Sequence, residues 1–259
     1  MKTALFILGC LLLVSPLVAE ESEFVAEQRR LAVAGNATAQ FNLGNCYFEG
    51  KGVTRDFKEA VRWWAKAAEQ GDATAQFSLG FCYNEGHGVT QDFKEAVRWW
   101  TKAAEQGGVK AQYILGLYYF IGKGVTQDFK EAVKWYAKAA EQGDATAQFD
   151  LGFHYHTGKD VTQDYKEAVR WWTKAAEQGG AAAQLLLGRC YAKGEGVTKD
   201  FVTAHMWYNL SASNGNKGAA DLRDAMTKEM TPVEISKAQD MARKKAAEIE
   251  KNMAKKAGE

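Results

Sequence analysis

Residues 72–107 read DATAQFSLGFCYNEGHGVTQDFKEAVRWWTKAAEQG, and residues 144–179 read DATAQFDLGFHYHTGKDVTQDYKEAVRWWTKAAEQG. Of 36 aligned positions, 29 are identical. Self-similarity at this period marks a repeat architecture, so it decides the fold before any local propensity does. The same period stacks Gln40, Gln76, Gln112, Gln148 and Gln184 in one column. Tyr47, Tyr83, Tyr119, Tyr155 and Tyr191 form a second, and Trp63, Trp99, Trp135, Trp171 and Trp207 a third. Five full units follow: 36–71, 72–107, 108–143, 144–179 and 180–215.

One unit shows what each becomes. Ala75, Leu79, Cys82 and Tyr83 recur at helical spacing and predict a first helix with one apolar face. Gly86 stops it, because glycine reaches the left-handed backbone at no steric cost. After a short loop, Asp92 and Glu95 form a D-x-x-E capping box for a second helix. Phe93, Ala96, Val97, Trp100, Ala103 and Ala104 are its buried stripe, and Gly107 ends it. The box recurs at Asp56/Glu59, Asp128/Glu131 and Asp164/Glu167; at Asp200 a threonine, Thr203, replaces the glutamate and weakens the start. Asp160 takes a loop-glycine position, and aspartate tolerates positive φ better than most side chains. One such helix pair cannot bury both its apolar stripes, but stacked neighbours can. The expected fold is an all-α superhelix of five 36-residue helix-turn-helix units.

The flanks supply the ends. Residues 1–19 read as a secretory signal peptide: a lysine, an apolar run, then Leu17-Val18-Ala19 before two glutamates. An uncleaved anchor is the alternative, and the only membrane attachment expected. Residues 20–35 read as an N-terminal capping helix, and 216–259 as a half-repeat followed by a C-terminal capping helix. Thr231, Pro232 and Glu234 start that last helix, Ile235, Ala238, Ala242 and Ile249 give it an apolar face, and its charged end from Lys251 is expected to fray.

The pattern A-x-x-Q-x-x-L-G-x-x-Y-x-x-G-x-G-V-x-x-D-[FY]-x-x-A-x-x-W-x-x-x-A-A-x-x-G, running from residue 36 to 215, resembles the Sel1-like repeat family, a relative of the tetratricopeptide repeats. The resemblance implies a scaffold or adaptor, in bacteria often exported, with the first helix of each unit lining the concave binding side. Some exported members carry two cysteines per unit that pair its helices. This chain departs from that pattern, so that subgroup's β-lactam chemistry does not carry over.

Composition excludes several classes. The chain has 259 residues, a net charge of +1 and only two prolines, Pro16 and Pro232. Loss of residues 1–19 leaves 32 basic and 32 acidic residues, so nothing favours nucleic acid. Cys46 and Cys82 sit in equivalent positions of adjacent units, whose helices pack at least about 8 Å apart. That exceeds the reach of a disulfide, so Cys46, Cys82 and Cys190 are expected to be free thiols. His154 and His156, two apart on a helix, face different ways and make no metal site. No nucleophile–base pair, phosphate loop or convergent carboxylate pair is present, so neither catalytic residues nor a cofactor are expected. Glu49 and Glu85 are the nearest approach to an acid pair and look like repetition. An envelope or cell-wall enzyme on the same repeats is the alternative.

Information about function resides in the positions where the copies vary. Six of the seven differences quoted above fall between Ser78 and Gly88. The first-helix face opposite the Ala75–Leu79 stripe carries Asn45 in unit one, Phe81 in unit two, Ile114, Leu117 and Ile121 in unit three, Phe153 in unit four and Arg189 in unit five. An apolar centre between a polar, acidic end and a basic end suits a peptide or protein ligand bound by a monomeric scaffold. The tryptophans and their neighbours read as core. Lys58, Arg62 and Lys66, with their equivalents in three further units, read as a solvated outer ridge whose like charges cost a few tenths of a kcal/mol per pair.

Overall fold

The computed structural model describes residues 22–159 and 161–258; the leader 1–19 and the expected φ of Asp160 lie outside the described residues. The described residues form thirteen helices and no strand. Helix α1 (Glu23–Val33) caps the N-terminal end. The first helices of the five units are α2 (Ala37–Glu49), α4 (Ala73–Glu85), α6 (Val109–Ile121), α8 (Ala145–Thr157) and α10 (Ala181–Lys193). The second helices are α3 (Phe57–Glu69), α5 (Phe93–Glu105), α7 (Phe129–Glu141), α9 (Tyr165–Ala176) and α11 (Phe201–Ser213). Two more follow, α12 (Lys217–Thr227) and α13 (Pro232–Gly258). Through α12, each helix packs mainly on its chain neighbours, as an α-solenoid requires.

Two side-chain systems hold the stack together, one within each unit and one between units. The first is an indole over a glycine. Trp64, Trp100 and Trp172 lie against Gly44, Gly80 and Gly152, and a β-carbon on Gly80 would sit 2.3 Å from Trp100 Nε1. Each of these indoles donates to a first-helix carbonyl, of Phe41, Phe77 and Phe149, at 3.1–3.2 Å. Tyr136 and Tyr208 fill the same place over Gly116 and Gly188. The second system gives the glutamine column its role. Gln76 Nε2 donates to Ala68 O of the preceding unit at 3.1 Å, and its Oε1 accepts from Gln106 Nε2 at 2.8 Å. Gln106 Nε2 also reaches back to Gly71 O at 3.0 Å. One buried amide therefore ties three chain segments together, and burial without those partners would be costly. The ladder recurs at Gln40, Gln112 and Gln148 and closes at Gln184, where Asn214 replaces the donor glutamine.

The caps differ from the expected boxes. Asp56, Asp92 and Asp164 accept from the amides two and three residues on, and Asp128 from the amide of Glu131, as N-caps should. The glutamates do not reach back. The amide of Asp92 instead donates to Tyr83 O at 2.9 Å, and Glu95 turns forward to Arg98. The fifth-unit start is not weaker: Asp200 caps Val202 and Thr203, and the Thr203 hydroxyl donates back to Asp200 Oδ2 at 2.6 Å. Only Thr231 and Glu234 make the reciprocal box among the described residues.

The C-terminal helix is continuous through the charged end expected to fray. It runs to Gly258 and packs against α11 through Ala238, Ala242 and Ile249. Lys245 reaches Glu177 at 2.7 Å and Lys256 reaches Gln178 at 3.0 Å, so its charged end docks on the turn between units four and five.

Cys46, Cys82 and Cys190 are free and buried. Burial pushes the thiols of Cys82 and Cys190 up to about 12 and also raises Cys46. With so little thiolate, the native protein should react negligibly with a disulfide reagent at mildly alkaline pH. After denaturation in urea, a chain starting at residue 20 should release three thiols; fewer would reveal a disulfide.

Candidate peptide-binding face

The candidate face is the solvent-facing side of the five first helices, the side that the family resemblance assigns to binding. Phe81 is 39% exposed, Ile121 49% and Phe153 51%, so three large apolar side chains stand in solvent on successive units. Ile114 and Leu117 are only half-buried companions, packed against the core of units two and three. Arg189 is exposed. Asn45 is engaged internally: its Oδ1 accepts from Trp64 Nε1 at 3.1 Å. The structure thus brings Phe81, Ile121 and Phe153 to the surface and gives Asn45 work inside the fold.

The N-terminal anchor stands on an aromatic bed. Phe81 lies 6.3 Å from Phe48 and 5.7 Å from His87, and His87 stacks on Phe57 at 4.9 Å. A ring supported in this way loses little further freedom on binding, which favours its use as an anchor. At one end of the face Glu49 pairs with Lys51, and Glu85 is exposed. At the other, Lys193 lies 3.4 Å from Glu195, and Arg189 stands beyond it in solvent.

Part of the variation between units has a structural purpose that reading one helix at a time misses. The Tyr118 hydroxyl donates to Asn84 Oδ1 of the preceding unit. His154 packs 5.4 Å from Phe120, also one unit back, and stacks on Tyr136 at 5.7 Å. These pairs lie 34 positions apart, so complementary change at that spacing was the available signal. Tyr113 donates to Asp150 Oδ2 at 3.2 Å, another link between adjacent first helices. Burial is the main reason that both groups are shifted up, Tyr113 to about 12. Asn84, His154 and Asp150 therefore fit neighbouring units together before they can serve a ligand.

His156 sits 5.2 Å from both Tyr165 and Trp172, and 3.7 Å from Glu195. Burial lowers its pKa more than Glu195 raises it. A depressed imidazole favours the neutral form in the fold, so its contribution to stability is lost as pH falls below the unfolded value. Acidification from about pH 7 to about pH 5 should lower Tm. His156→Asn, the residue that unit two carries, should make that fall smaller; an unchanged fall would remove His156 as its source.

The second-helix ridge is largely satisfied within the chain. Arg62, Arg98, Lys134 and Arg170 pair with the glutamate three residues earlier at 2.7–3.1 Å. Lys66, Lys102, Lys138 and Lys174 lie 4.0–4.4 Å from the ring centroids of Trp63, Trp99, Trp135 and Trp171. Cation–π contact and ion pairing offset the like-charge repulsion expected along the ridge. Among the described residues no group of three or more His, Cys, Asp or Glu could hold a metal ion, and no helix is long and apolar enough to cross a membrane.

Comparison with known proteins agrees with the repeat fold. The Sel1 repeat profile matches residues 37–72, 73–108, 109–144, 145–180 and 181–216, offset by one residue from the units above. The crystal structure of a Sel1 repeat protein from Oxalobacter formigenes is similar, at 36% identity and a TM-score of 0.69, over 85% of this chain and 98% of that one. A protective antigen of uropathogenic Escherichia coli strains, displaying an SLR fold, is similar at 31% identity and a TM-score of 0.54, over 89% of this chain. This chain spans just over half of that protein, 58% of its length. No curated protein matches. Five tandem matches on a two-helix solenoid show that this chain belongs to the Sel1 repeat family, whose members are generally non-catalytic protein-interaction scaffolds.

Proposed function

We propose that this chain is an exported, non-catalytic adaptor that binds a peptide or protein segment along its first-helix face. The observation that carries the reading is that Phe81, Ile121 and Phe153 are exposed on the first helices of units two, three and four, while the other large apolar side chains of the five units, among the described residues, are buried or half-buried. A concentration of exposed apolar side chains on one face of successive units is what a protein-binding surface presents. The preferred ligand is an extended or helical segment with two or three apolar anchors. A basic group would lie towards Glu49 and Glu85, and an acidic group towards Arg189 and Lys193. The leader-like residues 1–19 support export to the periplasm or beyond, and a monomer suffices for the site.

The experiment selects peptides from a display library on the intact chain and measures their affinity for Ile121→Ser/Phe153→Ser. Both side chains are about half exposed, so the thermal midpoint should change little. Affinity should fall by about tenfold or more, since buried aromatic and aliphatic anchors dominate such interfaces. Selected peptides that bind the double variant as tightly as the parent would overturn the assignment. Fractionation of cells that express the full chain tests export.

A further inference from the structure

The C-terminal end breaks the repeat at buried positions. The column filled by Val61, Val97, Val133 and Val169 is taken in unit five by His205. His205 is 2% exposed, and its Nδ1 is buried without a protein partner. In α12 the leucine column, buried in all five units, becomes Arg223, and the glycine column beneath the aromatic rings becomes Asp224. Asn209 of α11, Thr227 of α12 and Arg243 of α13 join them around one open cleft.

A solenoid end needs a polar cap, and that accounts for Asp224, whose side chain is 67% exposed. It does not account for His205. Valine would bury there without an unpaired nitrogen, and such a nitrogen costs free energy unless a partner arrives. The neighbours indicate what that partner is. Arg223 donates to Asn209 Oδ1 at 3.1 Å and pairs with Asp224 at 2.8 Å, holding one guanidinium at the cleft wall. Arg243 pairs with Asp240 on its own helix, an exposed contact that a better acceptor can displace. Asp224 offsets Arg223, and Asp240 stands outside the lining, so an anion that displaces Asp240 from Arg243 meets one positive charge in the cleft. A guanidinium fork fits the two oxygens of a carboxylate, and an imidazole N–H is a third donor.

We propose that the cleft between α11, α12 and α13 binds a carboxylate, carried by a small organic acid or by the free C-terminus of a peptide. The site is independent of the first-helix face. Titration calorimetry on the intact chain would use acetate, acetyl-alanyl-alanine, the C-terminal amide of that peptide, and inorganic phosphate. The free acids should bind about tenfold tighter than the amide and than phosphate. A peptide acid tighter than acetate would identify a chain terminus as the ligand, and equal affinities a small acid; either supports the site. His205→Val installs the residue of four other units, so Tm should hold or rise while carboxylate affinity falls about tenfold. Arg243→Gln, on the exposed side of α13, should weaken binding similarly and guards against a folding defect in the first variant. The proposal is overturned if neither acid binds saturably at millimolar concentration, if amide or phosphate binds as well as the acids, or if both variants bind like the parent.

Discussion

Replacing Trp100 with alanine is expected to lower unfolding stability by about 3–5 kcal/mol, the range for removing a large buried aromatic. Trp100 is 2% exposed and lies directly on Gly80, where no β-carbon stands between ring and backbone. Its Nε1 donates to Phe77 O at 3.2 Å, and Tyr118 of the next unit meets the ring edge-on at 4.9 Å. The indole thus joins both helices of unit two to the first helix of unit three. Glycine cannot grow a side chain to close the gap, so little relaxation is available. Solenoid stability is close to a sum of unit and nearest-neighbour terms, so the damage is local. Urea denaturation followed by far-ultraviolet circular dichroism should show a lower midpoint and a broader or two-step transition. Trp100→Tyr, the residue found at Tyr136 and Tyr208 in the same column, should cost less than about 1.5 kcal/mol. Equal losses for the two variants would show that ring volume over Gly80 is not what holds the units together.

Gly124→Ala is expected to cost about 2–5 kcal/mol, although it adds a single methyl group. Gly124 has φ +74°, a left-handed conformation that a β-carbon disfavours by about 1–2 kcal/mol. The added carbon would also lie 2.3 Å from Phe93 O and 2.6 Å from its carbonyl carbon. Those are backbone atoms at the start of α5, so the loop of unit three must lift off unit two. Gly88 and Gly196 meet Phe57 O and Tyr165 O in the same way, at 2.3 and 2.2 Å. Gly143→Ala separates the two contributions: its φ is +97° but nothing lies within 4 Å, so it should carry the conformational cost alone. Thermal denaturation of the two variants side by side decides the matter, and equal losses would rule out the contact with α5.

The two glycines also show how far the sequence reached. Both could be read as helix stops or loop residues from their columns, because a period of 36 makes each position its own control. The difference between them could not be read, since it depends on whether a neighbouring unit's backbone lies against the residue. Gln112 is a similar case: its column was plain, but its tie from Ala104 O to Gln142 Nε2 joins residues that only the fold brings together. Among the candidate binding residues, Phe81, Ile121 and Phe153 were placed on an outward face by helical spacing, and they are exposed. Asn45 shared that face by spacing yet is held by an indole from the paired helix, a contact that a single-helix projection does not contain. The docking of Lys245 and Lys256 was hidden for a related reason, because a charged helix end is ordered only when another segment supplies partners.

By itself, then, the sequence determined the architecture. The period, the glycine stops, the aspartate caps and the apolar stripes are local and repeated, so they needed only the helical spacing to be read. The tertiary structure alone decided which varied side chains face a ligand and which face the next unit. Asn84 against Tyr118 and Phe120 against His154 vary from copy to copy as a surface would, yet they are seams between copies. Exposure is a property of what packs against a residue, and in a solenoid the packing partner is a whole unit away in the chain.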